Sequence, residues 1–333
     1  MANLMKAAWF EEFGPADEVL KTGEQALPEI GPGDVLIRMS TSGVNPSDVK
    51  KRAGSFPNLL DDGPVIPHSD GAGVIEAVGS DVADSRVGER VWTYQAQYGR
   101  RFGTAAEYLA IEERRAVSLP QNTSLDVGAC LGIPAMTAHR CVFADGSVDG
   151  QTLLITGGAG RVAYYAIQWA SQSGAKVIAT ACGEEDQKSC LDAGADSVVC
   201  HRNADWAAQV LNANGGQPVD RVIDVEFGAN LPEILKLTKT GATIATYSST
   251  QVSEPSLPFF QMMYQDLTVR FVIVYAMPEE AKQHAIADIS SKLAAGELQH
   301  RVAHTVPFDA IARAHELIES GGFRGCVVLD LNA

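Results

Sequence analysis

The residues best placed to do chemistry in this 333-residue chain are Gly157-Gly158-Ala159-Gly160-Arg161-Val162-Ala163. Gly158-x-Gly160-x-x-Ala163 fits the pattern G-x-G-x-x-G/A, a turn that brings bare backbone against a dinucleotide pyrophosphate. In that pattern Gly158 serves the tight turn, Gly160 lets the main chain approach the phosphates, and Ala163 keeps the next helix close to its strand. The helix N-terminus then offers N–H groups and a positive dipole end. Alone, the same residues are an ordinary glycine turn, and context separates the two readings. Here Thr152-Leu-Leu-Ile-Thr156 precedes the glycines as a strand-like run. An amphipathic run to Ser173 follows, and Gly174-Ala-Lys-Val-Ile-Ala-Thr180 reads as a second strand, completing a βαβ unit.

The end of that second strand bears on the cofactor's form. In NAD-binding units an acid about 20 residues past the fingerprint takes the ribose hydroxyls. Thr180-Ala-Cys-Gly183 has no acid there, which leaves room for a 2′-phosphate and favours NADPH over NADH. Glu184, Glu185 and Asp186 follow at once and would repel a phosphate, although first-turn acids also suit the dipole of a following helix. Lys188 is the nearest positive charge.

The elements that must position these residues fall into an α/β pattern. Residues 1–122 are mostly β, with short runs such as Asp34-Val-Leu-Ile-Arg-Met39, Gly71 to Gly79, Gly88 to Trp92 and Ala105 to Ile111 between Gly and Pro turns. That spacing predicts a small β-barrel-like domain. A helical segment is expected over Ser124 to Phe143. After the βαβ unit, strands and helices alternate: strands at 197–200, 220–225, 241–247 and 267–274, helices near 206–212 and 231–238. Alternation implies a parallel sheet covered on both faces over 123–274. A helix at 279–295, strands at 302–307 and 325–331 and a helix at 309–320 complete residues 275–333, which are expected to return to the first domain.

Composition narrows the function classes. With 26 Lys and Arg against 41 Asp and Glu, the net charge is −15, so phosphate backbones and anionic membrane surfaces are poor partners. The six cysteines, Cys130, Cys141, Cys182, Cys190, Cys200 and Cys326, form no C-x-x-C pair. Neither zinc spacing nor a disulfide framework is indicated, and reduced thiols in the cytoplasm are expected. Met-Ala-Asn-Leu-Met-Lys lacks the apolar core of a signal peptide, and the run Phe271 to Met277 is too short to cross a bilayer.

Over essentially its whole length the chain resembles the zinc-free medium-chain dehydrogenases/reductases of the quinone oxidoreductase, zeta-crystallin-like type. The resemblance is carried by Gly43-Val-Asn-Pro-Ser-Asp48, Ser69-Asp-Gly-Ala-Gly73, Val87-Gly-Glu-Arg-Val91, Ala106-Glu-Tyr108, Gly132-Ile-Pro134 with Thr137-Ala138, the glycine loop, and Asp192-Ala-Gly-Ala-Asp196. It implies a GroES-like β-barrel catalytic domain joined to a Rossmann doubly wound parallel sheet, and a homodimer with 267–274 as the edge strand. Zinc-bearing relatives place ligands where this chain has Asn45, His68-Ser69-Asp70 and Ile133, a set that cannot make a tetrahedral zinc site. His68 stands in place of a glycine, and a hydrogen-bonded loop histidine is its expected role. Gly158 and Ala159 of the fingerprint, Gly183 at the strand end and Lys188 are expected at the cofactor, and the resemblance further implies contacts from Lys50, Thr137, Gly160, Arg161, Val162, His201, Asn230, Tyr247, Ser248, Ser249, Thr250, Phe271, Val272 and Ile273. Plainer readings stand beside several of these: a solvated surface Lys50, a helix-bonded Thr137, a helix-capping Asn230. Arg161 departs from the family's usual glycine, and Cys326 from its usual lysine; a buried small side chain is expected for the latter.

Without metal or flavin, the chemistry implied is direct hydride transfer from NADPH to a quinone or an enone. Asn45 is the expected donor to the acceptor's carbonyl oxygen, and Tyr94 a proton donor or pocket wall; turn bonding and core packing are their respective alternatives. Tyr98 shares that loop. A nucleotide-binding protein without turnover, of the crystallin kind, is the competing class.

Overall fold

The computed structural model describes residues 4–333. Along the chain run β1 (Leu4–Trp9), α1 (Ala16–Val19), β2 (Lys21–Ala26), β3 (Asp34–Val44), α2 (Pro46–Arg52), β4 (Asp70–Val78), β5 (Arg90–Thr93), β6 (Tyr108–Glu112) and β7 (Ala116–Ser118). Next come α3 (Leu125–Gly128), a π-helical turn at Leu131–Ala135, α4 (Met136–Phe143), β8 (Thr152–Ile155), α5 (Arg161–Gln172), β9 (Lys176–Thr180), α6 (Glu184–Asp192), β10 (Ser197–Val199) and α7 (Trp206–Ala213). Then follow β11 (Val219–Asp224), α8 (Phe227–Leu237), β12 (Thr238–Thr246), α9 (Phe259–Tyr264), β13 (Thr268–Phe271), α10 (Glu279–Ala295), β14 (Val302–Pro307), α11 (Ile311–Ser320) and β15 (Cys326–Asp330). Two compact units result, one reaching to Ile133 and including Ile286–Ala333, the other spanning Pro134–Ala285.

In the first unit a seven-stranded sheet has the order β14-β15-β3-β4-β5-β7, with β6 paired to β3, and β1 pairs with β2 separately. Long β3 carries the architecture, pairing antiparallel with β4, β6 and β15. Its inward residues Val35, Ile37 and Met39 pack with Ile75, Val91, Leu109 and Ile111, all nearly or fully inaccessible. A second core gathers Ala7, Ala8, Val44 and Ala105 with Phe308, Ile311, Val327 and Leu329 from the end of the chain. Gly43 is required by a close approach: a Cβ there would sit 2.0 Å from the Ala129 carbonyl oxygen.

In the second unit six strands lie in the order β10-β9-β8-β11-β12-β13, every neighbouring pair parallel. This is the 3-2-1-4-5-6 order of a doubly wound sheet, whose switch point falls between β8 and β11. Leu153, Leu154, Ile155, Val177, Ile178, Val222, Ile223 and Ile244 are fully inaccessible, which explains their unbroken apolar runs.

Most expected elements match. Ser124 caps α3, its hydroxyl accepting from the Val127 N–H at 3.3 Å. Helix α8 begins at Phe227, four residues before its expected start. Its first N–H groups are met from outside, Phe227 N–H by the Ser248 carbonyl at 3.0 Å and Gly228 N–H by Ser249 Oγ at 2.9 Å. Partners twenty residues away are invisible to local propensity.

Candidate active site

In the doubly wound unit the expected cofactor residues follow the carboxyl ends of the strands, where such sheets bind ligands. After β8 the chain turns through Gly157, whose φ of 61° requires glycine. The left-handed residue is therefore Gly157, not Gly158. Gly157 and Gly158 donate to Thr180 Oγ1 and to the Thr180 carbonyl at 3.0 and 2.8 Å, tying the turn to the end of β9. Gly158 serves packing instead: a Cβ there would meet Cys190 Sγ at 2.8 Å and the Ala179 Cβ at 2.9 Å. Gly160 is the N-cap of α5 and leaves the turn open, since a Cβ on it would meet just the Gly157 carbonyl oxygen, at 3.0 Å. Ala163 is fully inaccessible against the sheet. Ala159, Gly160, Arg161 and Val162 thus line a glycine cradle at a twelve-residue helix N-terminus, the geometry that suits a pyrophosphate.

Beyond β9 the backbone turns at Gly183, φ 94°, the N-cap of α6, with Glu184, Glu185 and Asp186 in the first turn. Lys188 is exposed and pairs with Asp192 at 2.5 Å on its own helix. His201 follows β10 in an exposed turn, its Nδ1 3.8 Å from Cys182 Sγ. At the end of β11 the buried carboxyl of Asp224 accepts from Thr156 Oγ1 at 2.7 Å, Asn230 Nδ2 at 2.8 Å and the Glu226 N–H at 3.1 Å. Burial pushes this carboxyl up despite those bonds. Asn230 lies inside α8 and braces Asp224 rather than capping the helix. Tyr247, Ser248, Ser249 and Thr250 form the loop after β12, held by Glu226, which accepts from the Thr250 N–H at 2.8 Å. Phe271 and Ile273 flank buried Val272 and are 69% and 53% exposed. Thr137 is buried in α4.

The other unit carries Asn45, Lys50 and Tyr94. Asn45 is buried at the N-cap of α2, where Pro46 starts the helix and Asp48 Oδ2 accepts the Asn45 N–H at 2.9 Å. Its Nδ2 donates to Asp70 Oδ2 at 2.9 Å, and the Ile133 N–H donates to the same oxygen at 2.8 Å. Asp70 is fully inaccessible and Oδ1 has no hydrogen-bond partner among the described residues. Burial drives its carboxyl well above the usual range, the two donors only partly opposing it. Lys50 is exposed, whereas its neighbour Lys51 is buried, reaching Gln97 O at 3.3 Å; burial lowers its ammonium although Asp48 and Asp70 pull the other way. Tyr94 is a correction. It is 2% exposed, packs against Trp92 and donates its hydroxyl to the Arg114 carbonyl at 3.2 Å, a core role that does not support a proton donor.

His68 sits at φ 76°, which explains why a glycine suits that position. It is held by a chain of buried hydrogen bonds. Thr104 Oγ1 donates to the Asp70 carbonyl, so it accepts from Ser42 Oγ, 2.6 Å away. Ser42 must then accept from His68 Nδ1–H at 2.8 Å. Neutral His68 is left with a bare Nε2, which takes the Nε2–H of His315 at 2.9 Å. Burial first, and then the neighbouring imidazole and Lys51, press His68 well below the usual histidine range; burial and Arg52 press His315 down to about 3. Neither His315 nor Asp70 was legible as a site residue, because their partners come from 25 to 247 positions away.

The residues here do not fit a zinc ion. Both ring nitrogens of His68 are engaged, Asn45 directs its amide nitrogen at Asp70, and no group of three or more His, Cys, Asp or Glu among the described residues could hold a metal. The cysteines bring a second correction. Cys182 and Cys200, at the ends of adjacent β9 and β10, form a disulfide, while Cys130, Cys141, Cys190 and Cys326 are buried thiols. Parallel pairing juxtaposes two cysteines whose sequence separation of 18 had disguised them. Cys326 packs beside Ala129, Cys130 and Val328 as a small buried side chain. No helix among the described residues is long and apolar enough to cross a membrane.

Comparison with known proteins adds sequence-wide information. Residues 31–121 match the alcohol dehydrogenase GroES-like domain, and 162–291 the family described as zinc-binding dehydrogenase. The chain is 30% identical over 331 residues to the quinone oxidoreductase of Homo sapiens, covering 98% of both proteins. A mycobacterial protein solved in complex with NADPH is 27% identical with a TM-score of 0.84, covering 98% of this chain and all of that one. An NAD-dependent alcohol dehydrogenase is similarly close, at 27% identity and a TM-score of 0.85, with the same coverage. The fold is therefore a GroES-like domain with a Rossmann sheet, and the chain an oxidoreductase.

Proposed function

This chain belongs to the quinone oxidoreductase family of medium-chain dehydrogenases/reductases, and we propose that it is an NADPH-dependent reductase that passes a hydride to a quinone without a metal or flavin. The observation that carries this reading is the amide of Asn45 at the position where zinc-bearing relatives supply a ligand, within a chain similar end to end to quinone oxidoreductases. A bound reduced nicotinamide would supply the hydride, and the protein's part is binding, orientation and charge stabilisation. Gly160 and the N-terminus of α5 hold the pyrophosphate. The acid-free turn Ala181-Cys182-Gly183 accommodates a 2′-phosphate, which favours NADPH over NADH. Lys50, Thr137, Lys188, His201, Asn230, the 247–250 loop and 271–273 complete the proposed cofactor contacts.

Asp70 takes one Nδ2 hydrogen of Asn45 and so fixes the orientation of the amide. The second Nδ2 hydrogen is the proposed donor to the acceptor's carbonyl oxygen, where negative charge grows as the hydride arrives. The test is NADPH and NADH oxidation followed with 1,4-benzoquinone and with 2-alkenals in parallel. Fast NADPH turnover with the quinone is expected; preference for the alkenals would assign an enone reductase, and binding of NADPH without turnover a crystallin-like role.

A homodimer is part of this proposal. Strand β13 ends its sheet, and Phe271, Ile273, Phe259, Phe260, Met263 and Tyr264 beside it in sequence are exposed by 48 to 80%. Apolar exposure at an edge strand suits a second copy related by a two-fold axis. Light scattering on the eluting protein at the monomer mass would refute it.

A further inference from the structure

We propose that Cys182 and Cys200 form a redox-active site, reduced by a dithiol, whose state sets the affinity of the neighbouring sheet end for NADPH. The pair is set apart from the other thiols. Cys182 and Cys200 are half-buried and within reach of solvent, whereas the four unbonded cysteines are all buried. The bond also has a mechanical position. Strand β10 is an edge strand paired to β9 through just Ser197, Val198 and Val199. The last ladder bond is from the Ala181 N–H to the Val199 carbonyl at 3.0 Å. One residue further on, where the backbone pairing stops, the disulfide joins the two turns. One of those turns is Cys182-Gly183, with glycine at φ 94°; the other is His201 to Asp205, every residue of which is exposed. The covalent link therefore joins two loops at the carboxyl end of the sheet, just beyond the last bond of the strand ladder.

A thiolate of the dithiol attacks Cys200 Sγ, the S–S bond breaks, and its electron pair leaves on Cys182 Sγ. The imidazole of His201, 3.8 Å from that sulfur, is placed to stabilise or protonate the departing thiolate. The reductant's second thiolate attacks the mixed disulfide, closes its own disulfide and releases Cys200, which takes a proton from water. Two electrons and two protons pass from the dithiol to the protein. The oxidised pair holds the Cys182-Gly183 turn in place before the cofactor arrives; the reduced pair leaves that ordering to be done on binding, which weakens affinity.

The redox site stands by itself, but its effect on affinity rests on the cofactor reading given above. The experiment labels protein purified in air with N-ethylmaleimide, with and without prior dithiothreitol, and maps the peptides. A Cys182–Cys200 linked peptide that becomes labelled only after dithiothreitol is expected, with the four other cysteines labelled only on denaturation. NADPH titration by fluorescence is expected to give a Kd about five- to tenfold weaker after reduction. The variant C182S/C200S should bind with the weaker value under both conditions, and the wild-type comparison holds even if that variant misfolds. Six cysteines all labelled in denatured, unreduced protein would overturn the site. Equal Kd values in the two redox states would overturn the coupling. No NADPH binding in either state would remove the coupling together with the cofactor reading, leaving the labelling to judge the disulfide.

Discussion

Replacing His315 by glutamine should make the protein less sensitive to acid, although it removes a buried hydrogen-bonded ring. His315 is fully inaccessible, and its imidazole is pressed from 6.5 to about 3 by burial and by Arg52. The groups around it offer a proton no welcome: Arg52 is cationic, its partner Glu319 is already paired to it, and His68 is itself held neutral. Because the folded value lies below the unfolded one, the unfolded chain takes up the proton first as pH falls from about 6.5 toward about 3, and stability falls with it. Each pH unit of that window is worth about 1.4 kcal/mol, so at pH 5 this one group has withdrawn about 2 kcal/mol relative to pH 7.5. Glutamine does not titrate, and its amide N–H can still donate to His68 Nε2. Asp70, raised by burial, works in the opposite direction, gaining stability as pH falls, but it is present in both proteins and cancels in the difference. At pH 7.5 the variant should be less stable by about 1 kcal/mol for an imperfect replacement bond. Urea unfolding at pH 7.5, 6.5 and 5 should show that gap shrink by about 2 kcal/mol and change sign. A gap that stays constant over that range would mean that His315 titrates normally in the folded protein, and that burial beside Arg52 does not hold it neutral.

Asn45→Ala should lower kcat with quinone by about 10²-fold, within the range for lost oxyanion donors, and leave the NADPH Kd unchanged; an equal loss of NADPH affinity would show a structural role instead. Tyr94→Phe removes the bond to the Arg114 carbonyl and should cost about 1 kcal/mol in urea unfolding with kcat intact, whereas a collapse of kcat would restore the proton-donor role. Gly43→Ala places a methyl 2.0 Å from the Ala129 oxygen and should destabilise by about 2 kcal/mol or more, read as a lower thermal midpoint. Gly158→Val should crowd Cys190 and Ala179 and lower stability by about 1–3 kcal/mol; an unchanged midpoint would contradict the packing role assigned to this residue.

Much of the fold was legible because it rests on short-range rules. The βαβ unit was readable since strand period, glycine turn and helix period follow one another within thirty residues, and β14 and α10 begin and end where expected. The absence of an acid at the end of β9, the asparagine at position 45 and the histidine in a glycine's place are facts of residue identity, independent of how the chain folds. What the tertiary structure decided were questions of partnership. Which glycine takes the left-handed conformation, whether Asn230 caps or braces, and whether Tyr94 points into a core depend on backbone and atoms far away in sequence. Two cysteines with no motif between them are joined because two parallel strands end side by side. Local composition fixes which chemistry a residue is able to do; burial and the neighbours folding brings to it fix which of those chemistries the residue is left free to perform.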